Sequence, residues 1–403
     1  MVDPDALADR LVDGELRLYE LEAETDPDTA TAARRRAMER LHEVDLQTIG
    51  NYAFPAGEAD ANIENMIGAV QLPVGVAGPL PVDGGAASGS YYVPLATTEG
   101  ALVASVNRGC SVLRRADGAT ARVTASGMTR APVFAVPNLA AATEMVEWVS
   151  EHHEEIAAAA EETTRYGTLL SIDPHVLGSR VFLRFRFDTG DAMGMNMVTI
   201  ATRAACELIE AETPGSLIAL SGNLCADKKP AAINATTGRG RTVSAEARIP
   251  GDVVEDVLGT TPAAMAEIHH SKTFLGSAKA ASFGFNAHVA NVVAATFLAT
   301  GQDEAHVVEG SNAITQMTAE DGDLYANVTC ASLQVGTVGG GTRLPTQQEA
   351  LELLGLAGGG DPPGQHADAL AEVITSAALA GELSLIGALA ARQLSAAHER
   401  LGR

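Results

Sequence analysis

The chain has 403 residues, of which 46% are hydrophobic, and its 51 acidic and 27 basic side chains give a formal net charge of −24. This length and composition indicate two or three folded domains with a substantial core and exclude a disordered chain. The negative charge argues against nucleic acid or an anionic membrane surface as a partner.

The acidic excess, together with a preference for arginine over lysine, suggests adaptation to high salt, where screening shortens the reach of charge. An ordinary acidic cytoplasmic protein is the alternative. No run of eighteen apolar residues occurs, and the acidic start MVDPDALADRLVDGE lacks the features of a signal peptide. We therefore predict a cytoplasmic location and no membrane partner. The four cysteines lie far apart without metal-ligand spacing, which predicts free thiols and no metal site.

The first predicted elements are helices. Residues 1–62 are polar and predict a small helical N-terminal domain. From residue 63 the chain is rich in glycine and proline, and TTEGALVASVNRGCSVLRRA then predicts a helix with Thr97 or Thr98 as its N-cap. Glu99 would thus lie at a helix start, where the helix dipole stabilises a negative charge.

Residues 132–221 predict the order β-α-β-β-α-β of a ferredoxin-like module. Its strands are PVFAV, GTLLSIDPHV, RVFLRFRFD and SLIALSG, and its helices are Leu139–Thr163 and about Gly194–Ala211. We expect this module to be inserted into a larger domain made of residues 63–131 and 222–403. That domain would contain a buried helix at about Ser282–Thr300 and a helical tail from about Gln365 to His398.

Two glycine-containing segments could approach a flat or phosphorylated ligand. In FDTGDAMGMNMVTIATRAACELI a strand turns into a helix that Asp191 can cap, and Gly194 would let a diphosphate approach the free amides. An ordinary strand–turn–helix with core methionines is the alternative, and no GxGxxG supports a Rossmann domain. GTVGGGT could pack its backbone against a ligand or simply form a structural turn.

The most specific local signal is a pair of lysines in SGNLCADKKPAAIN. The chain has only four lysines, Lys228, Lys229, Lys272 and Lys279. Adjacent ammonium groups repel each other, so the pair predicts anionic partners: Asp227 and a bound carboxylate or oxyanion. A surface turn is the alternative.

Two isolated residues are less specific. Asp303 follows the buried helix and could be a cap or turn acid, whereas His398, near the chain end, fits a surface residue as well as a functional imidazolium.

Seven motifs occur along the chain in this order: ENMIGAVQLPVGVAGPL, ATTEGALVASVNRGC, SGMTRAPV, GDAMGMNM, SGNLCADKKPAAIN, GSNAITQM and GTVGGGT. In these motifs and their order the chain resembles the eukaryotic and archaeal class of hydroxymethylglutaryl-CoA reductases, over about residues 60–400. The resemblance implies an α+β fold: a large mixed α/β domain with a long central helix, an inserted ferredoxin-like NADPH-binding domain and a small helical N-terminal domain. It also implies reduction of 3-hydroxy-3-methylglutaryl-CoA, through a hemithioacetal and mevaldehyde, to mevalonate and CoA with two NADPH per turnover.

The resemblance assigns the chemistry to four residues, Glu99, Lys228, Asp303 and His398. Lys228 would stabilise the oxyanion, Glu99 would donate the proton, and His398 as imidazolium would protonate the CoA thiolate. The residues that resemble binders of the hydroxymethylglutaryl group are Arg130, Ser221, Asp227, Lys229, Lys272 and Asn291, and those that resemble CoA contacts are Ser105, Asn107 and Arg108. The predicted cofactor residues are Thr164, Arg165, Tyr166, Asp191, Met193, Gly194, Met195, Asn196, Met197, Gly339, Gly340 and Gly341.

Within this set Arg165 is the candidate for the 2′-phosphate of NADPH. The family assembles its sites between subunits, so a homodimer or homotetramer is expected, with ENMIG near the contact. Three other functions stay open: NAD-dependent oxidative degradation of mevalonate, a Schiff-base lyase that uses the lysine pair, and a non-catalytic protein that binds CoA or a nucleotide.

Overall fold

The computed structural model describes residues 2–401, and the side chains of residues 2–392. The strands are β1 Val74–Gly84, β2 Ser88–Ala96, β3 Ala119–Arg130, β4 Val133–Ala135, β5 Thr168–Leu177, β6 Arg180–Asp188, β7 Ser216–Ala219, β8 Gly240–Ile249, β9 Ala313–Glu320 and β10 Asp323–Leu333. The α-helices are α1 Pro4–Val12, α2 Pro27–His42, α3 Gln47–Gly50, α4 Leu102–Arg115, α5 Leu139–Glu151, α6 His153–Glu161, α7 Met195–Glu212, α8 Ala232–Thr237, α9 Gly251–Leu258, α10 Pro262–Ile268, α11 Ser277–Ala280, α12 Val289–Thr300, α13 Val307–Gly310, α14 Pro345–Leu353 and α15 Gln365–Leu401. A π-helix covers His269–Gly276, and short 3-10 helices cover Leu18–Ala23, Ala56–Ala59, Glu304–His306 and Gly340–Arg343.

The N-terminal segment is helical, as predicted. Helix α2 begins at a proline that follows Asp26, whose carboxylate accepts a hydrogen bond from the amide of Thr29 at 3.0 Å. Arg34 in this helix is buried, donates to the carbonyl of Leu18 at 2.8 Å and pairs with Glu22. The helices are therefore held together by a buried guanidinium as well as by a small apolar core.

The strands form one continuous path in the order β7-β4-β6-β3-β8-β10-β9, with β5 beside β6 and β1 beside β2 and β3. Strand β3 is shared. Its residues 120–127 pair with β8, and its last three residues pair antiparallel with β6. One strand therefore passes from one hydrophobic core to the next. Arg130, at its end, lies at the junction of the two cores.

The segment from β4 to β7 has the predicted order of elements, and its neighbouring strands β7-β4-β6-β5 pair antiparallel. The prediction of one helix over Leu139–Thr163 is wrong, because α5 ends at Glu151 and α6 starts at His153. The backbone of His152 leaves the helical conformation (φ −109°, ψ 27°). Its ring donates from Nδ1 to the carbonyl of Trp148 at 2.9 Å and stacks on the indole, which fixes the break.

Helix α15 runs through the core and is buried on all sides over most of its described side chains. Two buried glutamates serve as backbone acceptors: Glu372 accepts the amide of Ala87 at 2.7 Å, and Glu382 accepts that of His288 at 2.7 Å. Among the described residues, only 365–392 form a helix long and apolar enough to cross a membrane, and 83% of the relevant window is buried inside the protein. Such burial is typical of a core helix.

The prediction of a helix over Ser282–Thr300 is right only in its second part, since α12 begins at Val289. Phe285 instead pairs with the edge of β9: its amide donates to the carbonyl of Ala313, and its carbonyl accepts from the amide of Thr315, both at 2.8 Å. The tail predicted from Gln365 begins there as α15. The side chain of His398 lies outside the described residues.

Candidate active site

The lysine pair lies in a loop between β7 and α8 whose backbone is unusual. Asn223, Ala226 and Lys228 have φ angles of 64°, 52° and 55°, in the left-handed region that non-glycine residues seldom adopt. Each such residue costs about 1–3 kcal/mol unless surrounding contacts enforce it. The loop is therefore held in place by its neighbours.

The two ammonium groups have different partners. Nζ of Lys228 lies 2.7 Å from Oδ2 of Asp303, whereas Nζ of Lys229 donates to the backbone carbonyl of Asp227 at 2.9 Å. Asp303 also caps a short helix by accepting the amide of Ala305 at 3.1 Å, as predicted for a cap acid. The hydrogen bond to Asp303 raises the pKa of Lys228, so this side chain stays an ammonium.

A buried network lies beneath the loop. Oδ1 of Asp227 is hydrogen-bonded to Nε2 of His306 at 3.0 Å and forms an ion pair with Nη2 of Arg239 at 2.9 Å. Burial alone would raise the pKa of Asp227, but the hydrogen bond from His306 and the charge of Arg239 lower it to about 2. Oε1 of Glu309 accepts the amide of Lys228 at 2.6 Å and lies 3.4 Å from Nη1 of Arg239, and burial raises the pKa of this glutamate.

Two further residues that were predicted to bind the substrate adjoin this loop. The amide of Gly222 donates to the carbonyl of Ala131 at 2.6 Å, which brings Ser221 beside Arg130. Nε of Arg130 is buried and has no hydrogen-bond partner among the described residues. Three other arginines also have buried guanidinium nitrogens without a partner in the described part of the chain, so an anionic ligand at Arg130 is supported by its position beside Ser221 as well as by this donor. The structure thus gathers Arg130, Ser221, Asp227, Lys228, Lys229 and Asp303.

Glu99 is not at a helix start, contrary to the prediction. Helix α4 begins at Leu102 after Ala101, whose φ is 70°, and the hydroxyl of Thr97 accepts the amide of Glu99 at 2.9 Å in a tight turn. Threonine forms such local turns in competition with helix, which explains the error. Nδ2 of Asn291 donates to Oε1 of Glu99 at 3.3 Å. Both side chains line an open cavity, together with Leu72, Ala96, Thr97, Thr98, Leu102, Ala294, Ala295 and Leu298.

Glu99 contacts the first turn of α12, whereas the partner of Lys228 lies beyond the last turn of that helix. Asn291 is in the first turn of this helix, and Asp303 follows its last residue, Thr300. The stretch from Asn291 to Thr300 spans roughly 14 Å at the rise of an α-helix. Lys272 is exposed on the π-helix and is not joined to either group by these contacts.

The predicted CoA contacts on α4 are engaged within the fold. Arg108 donates from Nε and Nη2 to the hydroxyl and carbonyl of Ser384 in α15, at 3.0 and 2.6 Å. The hydroxyl of Ser105 lies 2.9 Å from the same Ser384 hydroxyl, and the side chain of Asn107 accepts the amide of Gly78 at 3.0 Å. These bonds align α4 with α15, and the CoA contacts stay a prediction.

The two glycine segments lie against each other. The amide of Thr337 donates to the carbonyl of Asp191 at 2.8 Å. Helix α7 begins at Met195, as predicted, after Gly194 with a φ of 92°, and a Cβ at that glycine would lie 2.4 Å from Cγ2 of Thr189. Gly339 and Gly340 are left-handed with open space beside them, and Gly341 packs against Gly301. The glycines thus leave backbone accessible next to a helix N-terminus.

The carboxylate of Asp191 is directed inward and does not cap α7, which corrects that prediction. It accepts hydrogen bonds from the amides of Gly360, Gly364 and Ala367 at 2.9, 2.8 and 3.0 Å, and so caps α15. Asp191 is buried, so its side chain fixes the loop from behind. Whether the residue touches a cofactor stays a prediction.

The remaining cofactor candidates surround the start of α7. The hydroxyl of Thr164 accepts the amide of Gly167 at 3.1 Å, and this turn leaves Arg165 and Tyr166 exposed. Gly167 packs against the side chain of Met197. Asn196 is exposed in the first turn of α7 beside the partly buried Met195, and the partly buried Met193 precedes the helix.

Sequence reasoning missed Arg239, His306 and Glu309. Nη2 of Arg239 lies 2.8 Å from Sδ of Met195 as well as 2.9 Å from Asp227, so it joins the glycine loop to the lysine loop. The stretch DEAHVVE places Asp303, His306 and Glu309 three residues apart, a spacing that puts side chains on one helix face. That pattern was the available signal.

The chain is similar to known proteins over nearly its whole length. The family model described as hydroxymethylglutaryl-coenzyme A reductase matches residues 30–403. A 3-hydroxy-3-methylglutaryl-coenzyme A reductase of Haloferax volcanii is 63% identical over 403 residues, covering 100% of both chains, and one of Pyrococcus abyssi is 52% identical over 404 residues, covering 98% of this chain and 99% of the relative.

Among solved structures, a class II reductase of the same name from Streptococcus pneumoniae, bound to NADPH, superposes with a TM-score of 0.66 at 21% identity. The match covers 96% of this chain and 100% of that one. At this identity the likeness concerns the fold. Because the family model spans most of the chain and the relatives match over their full length, the chain belongs to the hydroxymethylglutaryl-coenzyme A reductase family.

Proposed function

We propose that the protein reduces 3-hydroxy-3-methylglutaryl-CoA to mevalonate and free CoA, consuming two NADPH per turnover, and that it belongs to the class I branch. The observation that carries the proposal is the Lys228–Asp303 ion pair, which lies beside Asp227 in the lysine loop. The names of the relatives support the substrate, and the NADPH bound to the pneumococcal reductase supports the cofactor.

The chemistry suits these groups. NADPH, when bound, supplies hydride to a carbonyl carbon, and negative charge then develops on the carbonyl oxygen. The Lys228 ammonium is fixed by Asp303 and stabilises that charge without having to reorganise. The unpaired N–H of Arg130 and the ammonium of Lys229 bind the carboxylate of the substrate. Glu99 donates the proton, and His398 protonates the departing thiolate.

The glycine loops fit the cofactor. A side chain at Gly194 would collide with Thr189, so only glycine leaves the amides at the start of α7 accessible to a diphosphate. Arg165 is exposed near this helix end and binds the 2′-phosphate. Asp191 and Arg239 hold the loop from the protein side.

The active site is assembled between subunits of a homodimer or homotetramer. Within one chain Glu99 lies toward the opposite end of α12 from Lys228 and Asp303, which supports donation of Glu99 by a second copy. Exposed apolar side chains near Lys272 support an interface there. These side chains are Phe274, Leu275, Phe283 and Ile314.

A complementation experiment tests this arrangement. Glu99→Gln and Lys228→Ala are each inactive, but equal amounts denatured and refolded together should recover about a quarter of wild-type activity, because half the dimers contain one intact site. Absence of recovery, with mixed dimers demonstrated by affinity tags, would place the site within one chain.

One hydrophobic cluster supports the proposed division into domains. Residues 132–221 form the inserted NADPH-binding domain, which is supported by a separate core around Phe134, Phe185 and Ile209. Residues 1–62 form the N-terminal helical domain, and residues 63–131 and 222–403 form the large domain. A cytoplasmic location without a membrane partner is supported by the composition and by the burial of α15.

The decisive experiment is the stoichiometry. We expect two NADPH oxidised for each thiol released from the thioester; a ratio of one, or binding without oxidation, contradicts the proposal. A strong preference for NADH, unchanged in Arg165→Ala, would support the oxidative alternative. His398→Gln should impair the thioester half-reaction and spare mevaldehyde reduction.

A further inference from the structure

Glu309 is a buried carboxylate directly beneath the lysine loop. Its side chain is fully buried, Oε1 accepts the backbone amide of Lys228 at 2.6 Å, and Oε2 has no hydrogen-bond partner among the described residues. A buried carboxylate costs free energy unless its surroundings compensate for lost hydration. Its partners are this backbone amide and the guanidinium of Arg239, which indicates a specific task for the carboxylate.

That task concerns the backbone of Lys228. With a φ of 55°, the residue is in a conformation that loop residues leave unless neighbours hold them there. A hydrogen bond to an ionised acceptor is about twice as strong as a neutral one. The torsion φ relates the N–H bond of a residue to its Cα–Cβ bond, so a hydrogen bond that holds Lys228 at its left-handed φ also sets the direction in which the side chain leaves the loop.

Arg239 makes the arrangement electrostatically possible. Its guanidinium bridges Glu309 and Asp227, with Nη1 at 3.4 Å from one carboxylate and Nη2 at 2.9 Å from the other. Ligand atoms of Asp227, His306 and Glu309 lie within 4.8 Å of one another, a spacing that could hold a metal ion. The guanidinium already supplies the positive charge that these carboxylates need, so the cluster is an ion network.

We propose that Glu309 is a positioning residue that aims the ammonium of Lys228 at Asp303 and the reacting oxygen by holding the Lys228 backbone in its left-handed conformation. The consequence for catalysis rests on the proposed function, whereas the positioning itself is independent of it. Glu309 touches neither substrate nor cofactor in this scheme and acts only through Lys228.

A matched pair of variants isolates the hydrogen bond. Glu309→Gln and Glu309→Met both remove the negative charge, and both side chains are close to glutamate in length, but only glutamine retains an oxygen acceptor for the Lys228 amide. Loss of the ion pair with Arg239 is common to the two variants. A difference between them therefore reports on the hydrogen bond.

The chain's four lysines allow a readout that does not depend on activity. An acetylating reagent at mildly alkaline pH modifies unprotonated amines, and mass spectrometry gives the rate at Lys228 relative to the exposed Lys279. In the wild type, Asp303 keeps Lys228 protonated and slow to react. We expect the relative acetylation rate of Lys228 to stay within about twofold of wild type in Glu309→Gln and to be several-fold higher in Glu309→Met. Each unit by which the pKa of Lys228 falls raises its unprotonated fraction about tenfold.

Activity gives the second readout. In the Met variant kcat should fall about ten- to a hundredfold in both half-reactions with little change in KM, because the oxyanion contact is made in the transition state. The Gln variant should retain most of kcat. If Glu309 only stabilised the fold, Glu309→Met would have a lower melting temperature, but at temperatures well below it the ratio of the acetylation rates of Lys228 and Lys279 would equal that of the wild type. That result overturns the proposal.

Equal ratios in Gln and Met also overturn it. If the labelling follows the expected pattern but the protein has no reductase activity, the positioning role of Glu309 stands and the proposed function is wrong. If neither variant folds, hydrogen exchange of the unaltered protein decides: the Lys228 amide should exchange at least about tenfold more slowly than that of Lys229, and equal rates refute the proposal.

Discussion

Lys228 and Asp303 form an ion pair at 2.7 Å in which each group stabilises the charged form of the other. The hydrogen bond to Asp303 raises the pKa of Lys228 above its ordinary value of 10.5. Burial alone would raise the pKa of Asp303, but the hydrogen bond from Lys228, together with His306 and the Ala305 amide, lowers it. We predict that Asp303→Asn lowers the pKa of Lys228. The alkaline limit of kcat, which reports loss of the ammonium, should then move to lower pH and into a profile measured from about pH 6 to 10.5, above which the wild-type limit lies.

The control for this prediction is Glu304→Gln. Glu304 is the next residue along the chain, is exposed and is not a partner of Lys228. The pH profile of kcat in Glu304→Gln should therefore match that of the wild type. An alkaline limit that stays in place in Asp303→Asn would assign that limit to another group.

Asp227 should contribute to stability in a defined acid range. Its pKa is about 2 in the folded protein against an ordinary 3.8, so the stabilisation is complete above pH 4 and is lost as the pH falls from 3.8 through 2. The difference corresponds to about 2 kcal/mol. Urea unfolding at constant salt should show that Asp227→Asn is less stable than wild type by about this amount at pH 6, with the gap closing toward pH 2. A gap independent of pH would exclude this origin.

Gly194 should not tolerate a side chain. We predict that Gly194→Ala weakens NADPH binding at least about tenfold, because the added Cβ would lie 2.4 Å from Thr189 and distort the start of α7. Gly178 is the matched control, since it is also left-handed, with a φ of 60°, but has no atom within 4 Å of an added Cβ. Gly178→Ala should lose stability only because alanine disfavours the left-handed backbone conformation, and it should bind NADPH normally in a fluorescence titration.

The net charge of −24 predicts a salt dependence. Repulsion among surface carboxylates is long-ranged at low ionic strength and short-ranged in molar salt. The melting temperature should therefore rise steeply between about 0.1 and 2 M KCl. Full stability in dilute buffer would identify an ordinary acidic protein.

Local pattern predicted much of the fold. The β-α-β-β-α-β order, the start of α7 and the start of α15 follow from hydrophobic periodicity and glycine positions, which are properties of neighbouring residues. The errors at His152 and Phe285 have a different origin. In both places a side chain or backbone makes a specific contact, with Trp148 or with β9, that periodicity does not encode.

The candidate site was likewise predictable where the signal was local and unpredictable where it depended on distant contacts. The lysine loop and the glycine loops were found from their sequence, because two adjacent lysines and a Gly-rich stretch are local signals. Arg239 and Glu309 were missed, since their importance comes from contacts with Asp227 and with Lys228, 81 residues from Glu309 along the chain. A lone arginine or glutamate in an acidic sequence has no local feature that distinguishes it.

The capping of α15 by Asp191 also bears on the order in which parts of the protein fold during synthesis. The core around Phe134 and Phe185 is built from residues 128–209 and can close soon after they leave the ribosome. The partners of Asp191 follow 169 to 176 residues later in the chain. We therefore expect the small core to form early in translation, and the glycine loop beside it to be completed only when α15 has emerged.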